Sequence, residues 1–289
     1  MKVLVTGAAG NVGLNVVHQL VTENWDVRVL TRRAQASAFP EGVNVCIGDL
    51  SRPETLTDAL SNVEALFLFP VPETAEAVVS KAEKAGVRRI VVLSSAAVTT
   101  GIDTDFHLAV EQAVEASGLE YTHVRPGEFA TNKLALWGPP IRAERVVRDP
   151  APSVASFPVH EQDIADVAFL ALTTDGHAGQ AYTLDGPELL TRRQQAELIG
   201  EAIREDIRFE VVTPHEARKI YLAQGGIAAE YADFILGFRD YDGNEANPSD
   251  IEKLDYSSLG PRPTAEAVTG RPARTFLQWA KDHAQDFYR

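Results

Sequence analysis

The 289-residue sequence holds a single cysteine, Cys46. No disulfide can form within the chain, which fits a reducing, cytoplasmic compartment. Cys46 lies in the apolar run Val43-Asn44-Val45-Cys46-Ile47, a setting that predicts a core residue rather than a nucleophile. Basic side chains are also scarce, with 27 Lys and Arg against 41 Asp and Glu and a formal charge of −14. So acidic a chain argues against a nucleic-acid partner, because phosphate backbones select a basic face. No apolar stretch approaches the roughly 18 residues that a membrane helix needs, so no membrane partner is expected. Strand-like sequence begins within the first few residues, which predicts no secretory leader. The seven histidines (18, 107, 123, 160, 177, 215 and 283) show no paired ligand spacing, so no metal is expected.

What the chain does have is a strand, a glycine turn and a helix in direct succession. Val3-Leu4-Val5 is short, β-branched and bounded by glycine, and reads as a buried strand. Gly7-Ala8-Ala9-Gly10-Asn11-Val12-Gly13 follows, and then Val16, Val17, Leu20 and Val21 recur at helical spacing. Each glycine has a separate task in a dinucleotide-binding turn. Gly7 allows the sharp bend, Gly10 the approach of a pyrophosphate, and Gly13 the close packing of helix on strand. The helix N-terminus then offers free N–H groups and partial positive charge to the phosphates. Gly7, Ala9, Gly10, Asn11, Val12 and Gly13 are therefore candidate cofactor-binding residues.

A second strand, residues 26–31, ends at Arg32-Arg33. A chain that selects NAD usually places a carboxylate near this position to accept from the ribose 2′-hydroxyl. An arginine fork suits a 2′-phosphate instead, so NADPH is the expected cofactor and NADH a weaker one. Further strands are expected at residues 43–47, 65–69, 89–94, 121–125 and 181–184. Helices are expected between them: after Ser51-x-x-Glu54, over 73–85, over 103–117 and from Asp163. Alternation of this kind predicts a Rossmann-type, doubly wound parallel α/β sheet. The dinucleotide-binding domain is placed at 1–130, with returning segments near 159–185. Residues 131–158 and 186–289 form the expected substrate-binding region, smaller and mostly helical, with capping boxes at Thr191-x-x-Gln194 and Thr213-x-x-Glu216. Ile227, Tyr231, Phe234, Ile235 and Phe238 form a helical stripe, for which core packing is the expectation and a substrate-pocket wall the alternative.

Several of these features together look like the NmrA-like branch of the atypical short-chain dehydrogenase/reductase superfamily. They are the glycine turn, Arg32, Gly48-Asp49-Leu50, the Val159…Asp163-Ile164-Ala165 segment and the ending Val268-Thr269-Gly270-Arg271-Pro272-x-x-Thr275-Phe276. The resemblance covers nearly the whole chain. It implies that Arg32 holds the 2′-phosphate, that Asp49 with Leu50 lies by the adenine, and that Phe69, Pro70 and Ser94 flank the nicotinamide half. The branch contains quinone and ketone reductases as well as NADP(H)-sensing regulators without catalysis, so resemblance alone leaves both functions open.

One departure from the superfamily is informative. Most short-chain dehydrogenases protonate the substrate through Tyr-x-x-x-Lys. Here Tyr121 is followed four residues later by Arg125, Tyr182 by Gly186, Tyr221 by Gly225, Tyr231 by Ile235, Tyr241 by Glu245 and Tyr256 by Gly260. The expected helix carries Phe106-His107-Leu108-Ala109-Val110 in place of the pair. With the aromatic residues Trp137, Tyr221, Phe234 and Phe238 in the second half, the resemblance to quinone reductases and to polyketide ketoreductases that lack the pair implies an NADPH-dependent reductase acting on a carbonyl of a flat apolar substrate, an aromatic polyketide ketone or a quinone. A quinone disperses the charge that develops on oxygen, and a neighbouring phenol can protonate a ketone, so the substrate can assist its own reduction. His107 and Ser95 are the candidate catalytic residues, with pairing of His107 to Glu111 and strand-end capping by the serines as the structural alternatives. Glu128 and Lys133 read as surface charges, and His160 as a residue that orients the helix near Asp163. The alternative function is a non-catalytic NADP(H) sensor with a protein partner. A homo-oligomer is compatible with either.

Overall fold

A computed structural model describes residues 1–33, 39–253 and 257–288 of the chain; Tyr256 lies outside them. In chain order the elements begin with β1 (Lys2–Val5), α1 (Asn11–Thr22), β2 (Asp26–Thr31), β3 (Asn44–Ile47), α2 (Thr57–Leu60), β4 (Ala65–Leu68) and α3 (Ala75–Lys84). They continue with β5 (Arg89–Leu93), α4 (Ala96–Thr99), α5 (His107–Ala116), β6 (Glu120–Pro126), α6 (Asn132–Leu136), α7 (Gly138–Glu144), β7 (Val146–Asp149) and β8 (Ala155–Ser156). Then come α8 (Glu161–Thr173), β9 (Gln180–Leu184), β10 (Leu190–Thr191), α9 (Arg192–Ile203), β11 (Arg208–Val211) and α10 (Pro214–Gln224). Last are α11 (Gly226–Glu230), α12 (Ala232–Ile235), α13 (Thr264–Thr269) and α14 (Phe276–Asp282).

The chain divides into two compact units. The first comprises Met1–Gly127, Glu161–Leu184 and Thr264–Pro272; the second comprises Glu128–His160, Asp185–Pro263 and Ala273–Arg289. The first unit is built on a seven-stranded sheet in the order β3-β2-β1-β4-β5-β6-β9, and every pairing in it is parallel. Strand order reverses between β1 and β4, which is where open parallel sheets take their ligands. Both faces of the central strands are buried, as parallel sheets require. Leu4, Leu66 and Ile90 face a core built with Val78, Val79, Val110 and Val114 of α3 and α5. On the other face α1 packs beside α8 and turns Val12, Val16, Val17 and Leu20 inward.

The second unit holds two short two-stranded sheets, β7 with β11 and β8 with β10. Its core centres on Trp137, Tyr221, Phe276, Trp279 and Phe287. Both anticipated capping boxes form: Thr191 and Gln194 exchange reciprocal bonds at the start of α9, and Thr213 and Glu216 do so at the start of α10.

Local signals failed in four places. Ser51 does not cap a helix; a 3-10 turn begins instead at Pro53, and Ser51 turns back to Asp49. The helix expected from Asp103 starts at His107, because the Asp103 carboxylate accepts the Phe106 and His107 amide N–H groups and so lies outside the helix. The stripe from Ile227 to Phe238 is broken between α11 and α12. Ile227, Tyr231 and Phe234 are 57 %, 48 % and 49 % exposed, so only Ile235 and Phe238 pack on the core. Thr264–Pro272, expected in the C-terminal region, belongs to the first unit, where α13 packs on α8. Cys46 is half-buried against the sheet core.

Arg28 shows how one buried cation fixes a loop. Its Nη1 donates to the carbonyls of Asp58, Ala59 and Ser61, each at 2.8 Å, where α2 ends. Such a cation satisfies the carbonyls that a helix C-terminus leaves unpaired. Arg28→Met keeps the apolar stem and strips the donors. Denaturant unfolding should show a loss of about 1–3 kcal/mol, with NADPH affinity unchanged; stability equal to the parent would refute the capping role.

Candidate active site

The glycine turn sits where β1 hands over to α1, at the strand-order reversal. Thr6 ties the two central strands together there, donating to the Phe67 carbonyl at 2.9 Å and accepting from the Phe69 amide at 2.8 Å. Gly7 has φ +61, a left-handed conformation that favours glycine. A Cβ on Gly13 would lie 2.3 Å from the Gly7 carbonyl oxygen, and one on Gly10 only 3.2 Å from the same atom. Gly7, Ala9, Gly10 and Asn11 are exposed, whereas Val12 and Gly13 are buried. The exposed residues therefore form the rim, while Val12 and Gly13 present only backbone at the helix N-terminus. Gly10 caps α1 without any side-chain hydrogen bond, which leaves the first N–H groups of the helix for an anion.

Arg32 and Asp49 follow the C-terminal ends of adjacent strands β2 and β3. Hydrogen bonds from the Ser51 hydroxyl and amide, then the fields of Arg52 and Arg32, hold the Asp49 carboxyl below its usual range. Both Ser51 bonds fall on Oδ1, at 2.7 and 2.9 Å. Asp49 is thus an anion at neutral pH, suited to accept from an amino group. Leu50 is a core side chain, and its carbonyl accepts from Thr74 at 2.8 Å. Phe69 is 44 % exposed with its ring against Gly7, and Pro70 beside it is buried.

At the end of β5 the two serines differ. Ser94 is buried, and its hydroxyl donates to Glu111 Oε1 at 2.5 Å. Glu111 is buried too and takes both arms of Arg125, at 2.8 and 2.5 Å. The Ser94 hydroxyl proton is therefore committed to Glu111. Ser95 caps α4 by accepting from the Ala97 amide at 3.1 Å, as the capping alternative expects. His107 does not pair with Glu111; its Nδ1 lies 2.6 Å from Asp103 Oδ2. Asp103 is fully buried and also receives the His107 amide N–H at 3.0 Å.

Glu128 and Lys133, expected at the surface, form an ion pair at 2.5 Å, with Lys133 buried and its ammonium 4.6 Å from the Trp137 ring centroid. His160 pairs with Asp282 at 3.3 Å. Glu111, Glu115 and His123 bring potential ligand atoms within 4.8 Å of one another, but Arg125 already neutralises Glu111, and His123 Nε2 lies 3.1 Å from Glu115 Oε1.

Residues 7–175 match the family model described as NAD(P)H-binding. The chain belongs to this NAD(P)H-binding family. A Streptomyces griseus protein named (4-alkanoyl-5-oxo-2,5-dihydrofuran-3-yl)methyl phosphate reductase is 35 % identical over 99 % of both chains. The NAD(P)H azoreductase of Xenophilus azovorans is 31 % identical, again over 99 % of each. The crystal structure of Citrobacter sp. triphenylmethane reductase with NADP(H) shares the fold at a TM-score of 0.78, with 21 % identity over 98 % of this chain and 100 % of that one. This family member is accordingly an NAD(P)H-dependent reductase by kinship, and its own glycine cradle fits the dinucleotide. Asp103, which pairs with His107, is not singled out by the sequence. The usable signal was an aspartate four residues before a histidine at a helix start, where caps are commonly acidic.

The two inner glycines should separate binding from folding. Gly10→Val fills the surface that the pyrophosphate approaches, so calorimetry should detect no NADPH binding while circular dichroism stays unchanged. Gly13→Val drives Cβ into the Gly7 carbonyl and should lower Tm markedly. Retained binding in Gly10→Val would show that the phosphates lie elsewhere.

Proposed function

We propose that this protein is an NADPH-dependent reductase whose acceptor is a carbonyl of a flat, apolar molecule, an aromatic polyketide ketone or a quinone. The observation that carries this reading is a set of exposed apolar side chains on the segments that follow the sheet's C-terminal edge. Phe69, Ile102 and Phe106 are 44 %, 51 % and 43 % exposed, and all three follow the ends of β4 or β5, adjacent strands on one side of the order reversal. Large apolar side chains left open after the ends of these strands suit a flat apolar ligand at the strands' C-terminal edge. The exposed Ile227, Tyr231 and Phe234 of the second unit support a substrate-binding role for that unit. The S. griseus relative's named substrate is a carbonyl-bearing dihydrofuran and the X. azovorans relative is an azoreductase, which favours small conjugated acceptors. Gly7, Ala9, Gly10, Asn11 and the α1 N-terminus hold the pyrophosphate, Arg32 the 2′-phosphate, Asp49 the adenine amine, and Phe69 and Pro70 the nicotinamide end. A cytoplasmic setting accords with the lone cysteine, and no described helix is long and apolar enough to cross a membrane.

Cofactor choice and activity are tested together. Arg32→Ala removes a charge-assisted contact that only NADPH makes. It should weaken NADPH by about ten- to a hundredfold and leave NADH nearly untouched; equal losses for the two cofactors would sink the 2′-phosphate assignment. A screen of NADPH oxidation against quinones and polycyclic aromatic ketones should give turnover well above the acceptor-free rate. If nothing in the screen is reduced while NADPH binds tightly, the protein is a sensor of NADP(H) instead.

A further inference from the structure

We propose that Asp103 and His107 form the proton-delivering pair of this reductase, with His107 the catalytic group and Asp103 its positioning residue; the proposal rests on the reductase reading above. The argument begins with where α5 places its first turn. The strands of the sheet are parallel, and α5 connects β5 to its neighbour β6. The helix therefore runs against the strands, and its first residue, His107, lies at their C-terminal edge. Glu111 shows which side of the helix faces inward, because its carboxylate holds both the Ser94 hydroxyl and Arg125 of β6. Residues four apart share one helix face, and one turn advances about 5.4 Å. His107 thus stands on the Ser94 side of α5, one turn nearer the open edge, with its ring 4.8 Å from that of the exposed Phe106.

Its chemistry is set by Asp103. An ionised carboxylate only accepts hydrogen bonds, so the 2.6 Å contact makes Nδ1 the protonated nitrogen and Nε2 the one that exchanges. The carboxylate also receives the His107 amide, which locks the spacing of the pair. Aspartate fixes the tautomer and orientation of a working histidine in the same way in hydrolytic triads. Three other hydroxyl groups described in the first unit are engaged or distant, whereas Ser95 accepts from the Ala97 amide and keeps its own proton. Ser94 donates to Glu111, Tyr182 pairs with His177 at 2.8 Å, and Tyr121 lies near the N-terminal end of β6 and packs against the sheet core.

In the step, the acceptor carbon gains a hydrogen and two electrons from NADPH. With the ring doubly protonated, the acceptor oxygen takes the Nε2 proton, so that an O–H bond forms as the N–H bond breaks and the ring is left neutral with its remaining proton on Nδ1. Water then returns a proton to Nε2. The overall change is NADPH, one proton and the carbonyl going to NADP⁺ and the alcohol.

The test uses the full chain with two probes, menadione and 8-methoxy-1-tetralone, whose ether cannot protonate its own ketone. His107→Gln leaves the Asp103 bonds to the α5 amides in place. It should lower kcat on the tetralone by about 10²–10⁴-fold, with much less effect on menadione and no change in NADPH Kd. Asp103→Asn should lower kcat roughly tenfold or more with KM unchanged. Nitrogen-15 spectra of the histidine rings, recorded without cofactor, should show neutral His107 protonated on Nδ1 in the parent and shifted toward the Nε2–H form in Asp103→Asn. A parent whose neutral His107 carries its proton on Nε2 overturns the pair. So does an active parent beside an equally active His107→Gln. A parent that reduces neither probe overturns the reductase reading and the pair's role with it.

Discussion

A carbonyl oxygen governs the centre of this molecule. The Gly7 oxygen receives the Gly10 amide at 2.9 Å and would stand 2.3 Å from any Cβ at position 13. Only glycine lets α1 come that near the strand it follows. The approach sets the direction of the helix axis, and with it the place where unpaired amides emerge at the order reversal of the sheet. The apolar face of α1 then meets α8, and the sheet is closed on that side. Had the helix been displaced outward by one side chain, the amide cluster and the Phe69 ring would no longer share an edge.

Much of this was legible from local sequence. The glycine turn, the strands flanking it and both threonine capping boxes depend on neighbours within a few residues, and each formed where expected. What escaped were features decided by distant partners. Lys133 has the composition of a surface charge, yet Glu128 and the Trp137 ring surround it, and burial follows from that partnership rather than from the residue itself. The stripe after Ile227 has helical period but a break between α11 and α12, so its period says nothing of which face turns to solvent. Ser51 and Glu54 matched a capping box, but proline at 53 and the Asp49 carboxylate offered the local backbone a better arrangement.

The site shows the same division. The glycines, Arg32 and Asp49 could be proposed from sequence because dinucleotide recognition is carried by backbone and by charges at strand ends. The proposed acid–base pair was harder to see, since Asp103 is simultaneously a helix-capping residue and the histidine's partner. Two buried carboxylates are placed against donors from other elements: Glu111 joins α5 to β5 and β6, and Asp149 of β7 takes Arg192 at the start of α9 at 2.8 Å. Interior charge here fastens elements to one another.

The interleaving of the two units has a consequence for how the chain is made. β6 ends at Pro126, and the strand that covers its outer edge, β9, begins only at Gln180; the intervening residues belong largely to the other unit. As the polypeptide leaves the ribosome, a nearly finished sheet must wait with one hydrogen-bonding edge bare. The α13 segment that packs on α8 arrives later still. Synthesis order therefore favours completion of both units together, and a nascent chain paused before Gln180 is the species most exposed to strand-to-strand capture by its neighbours.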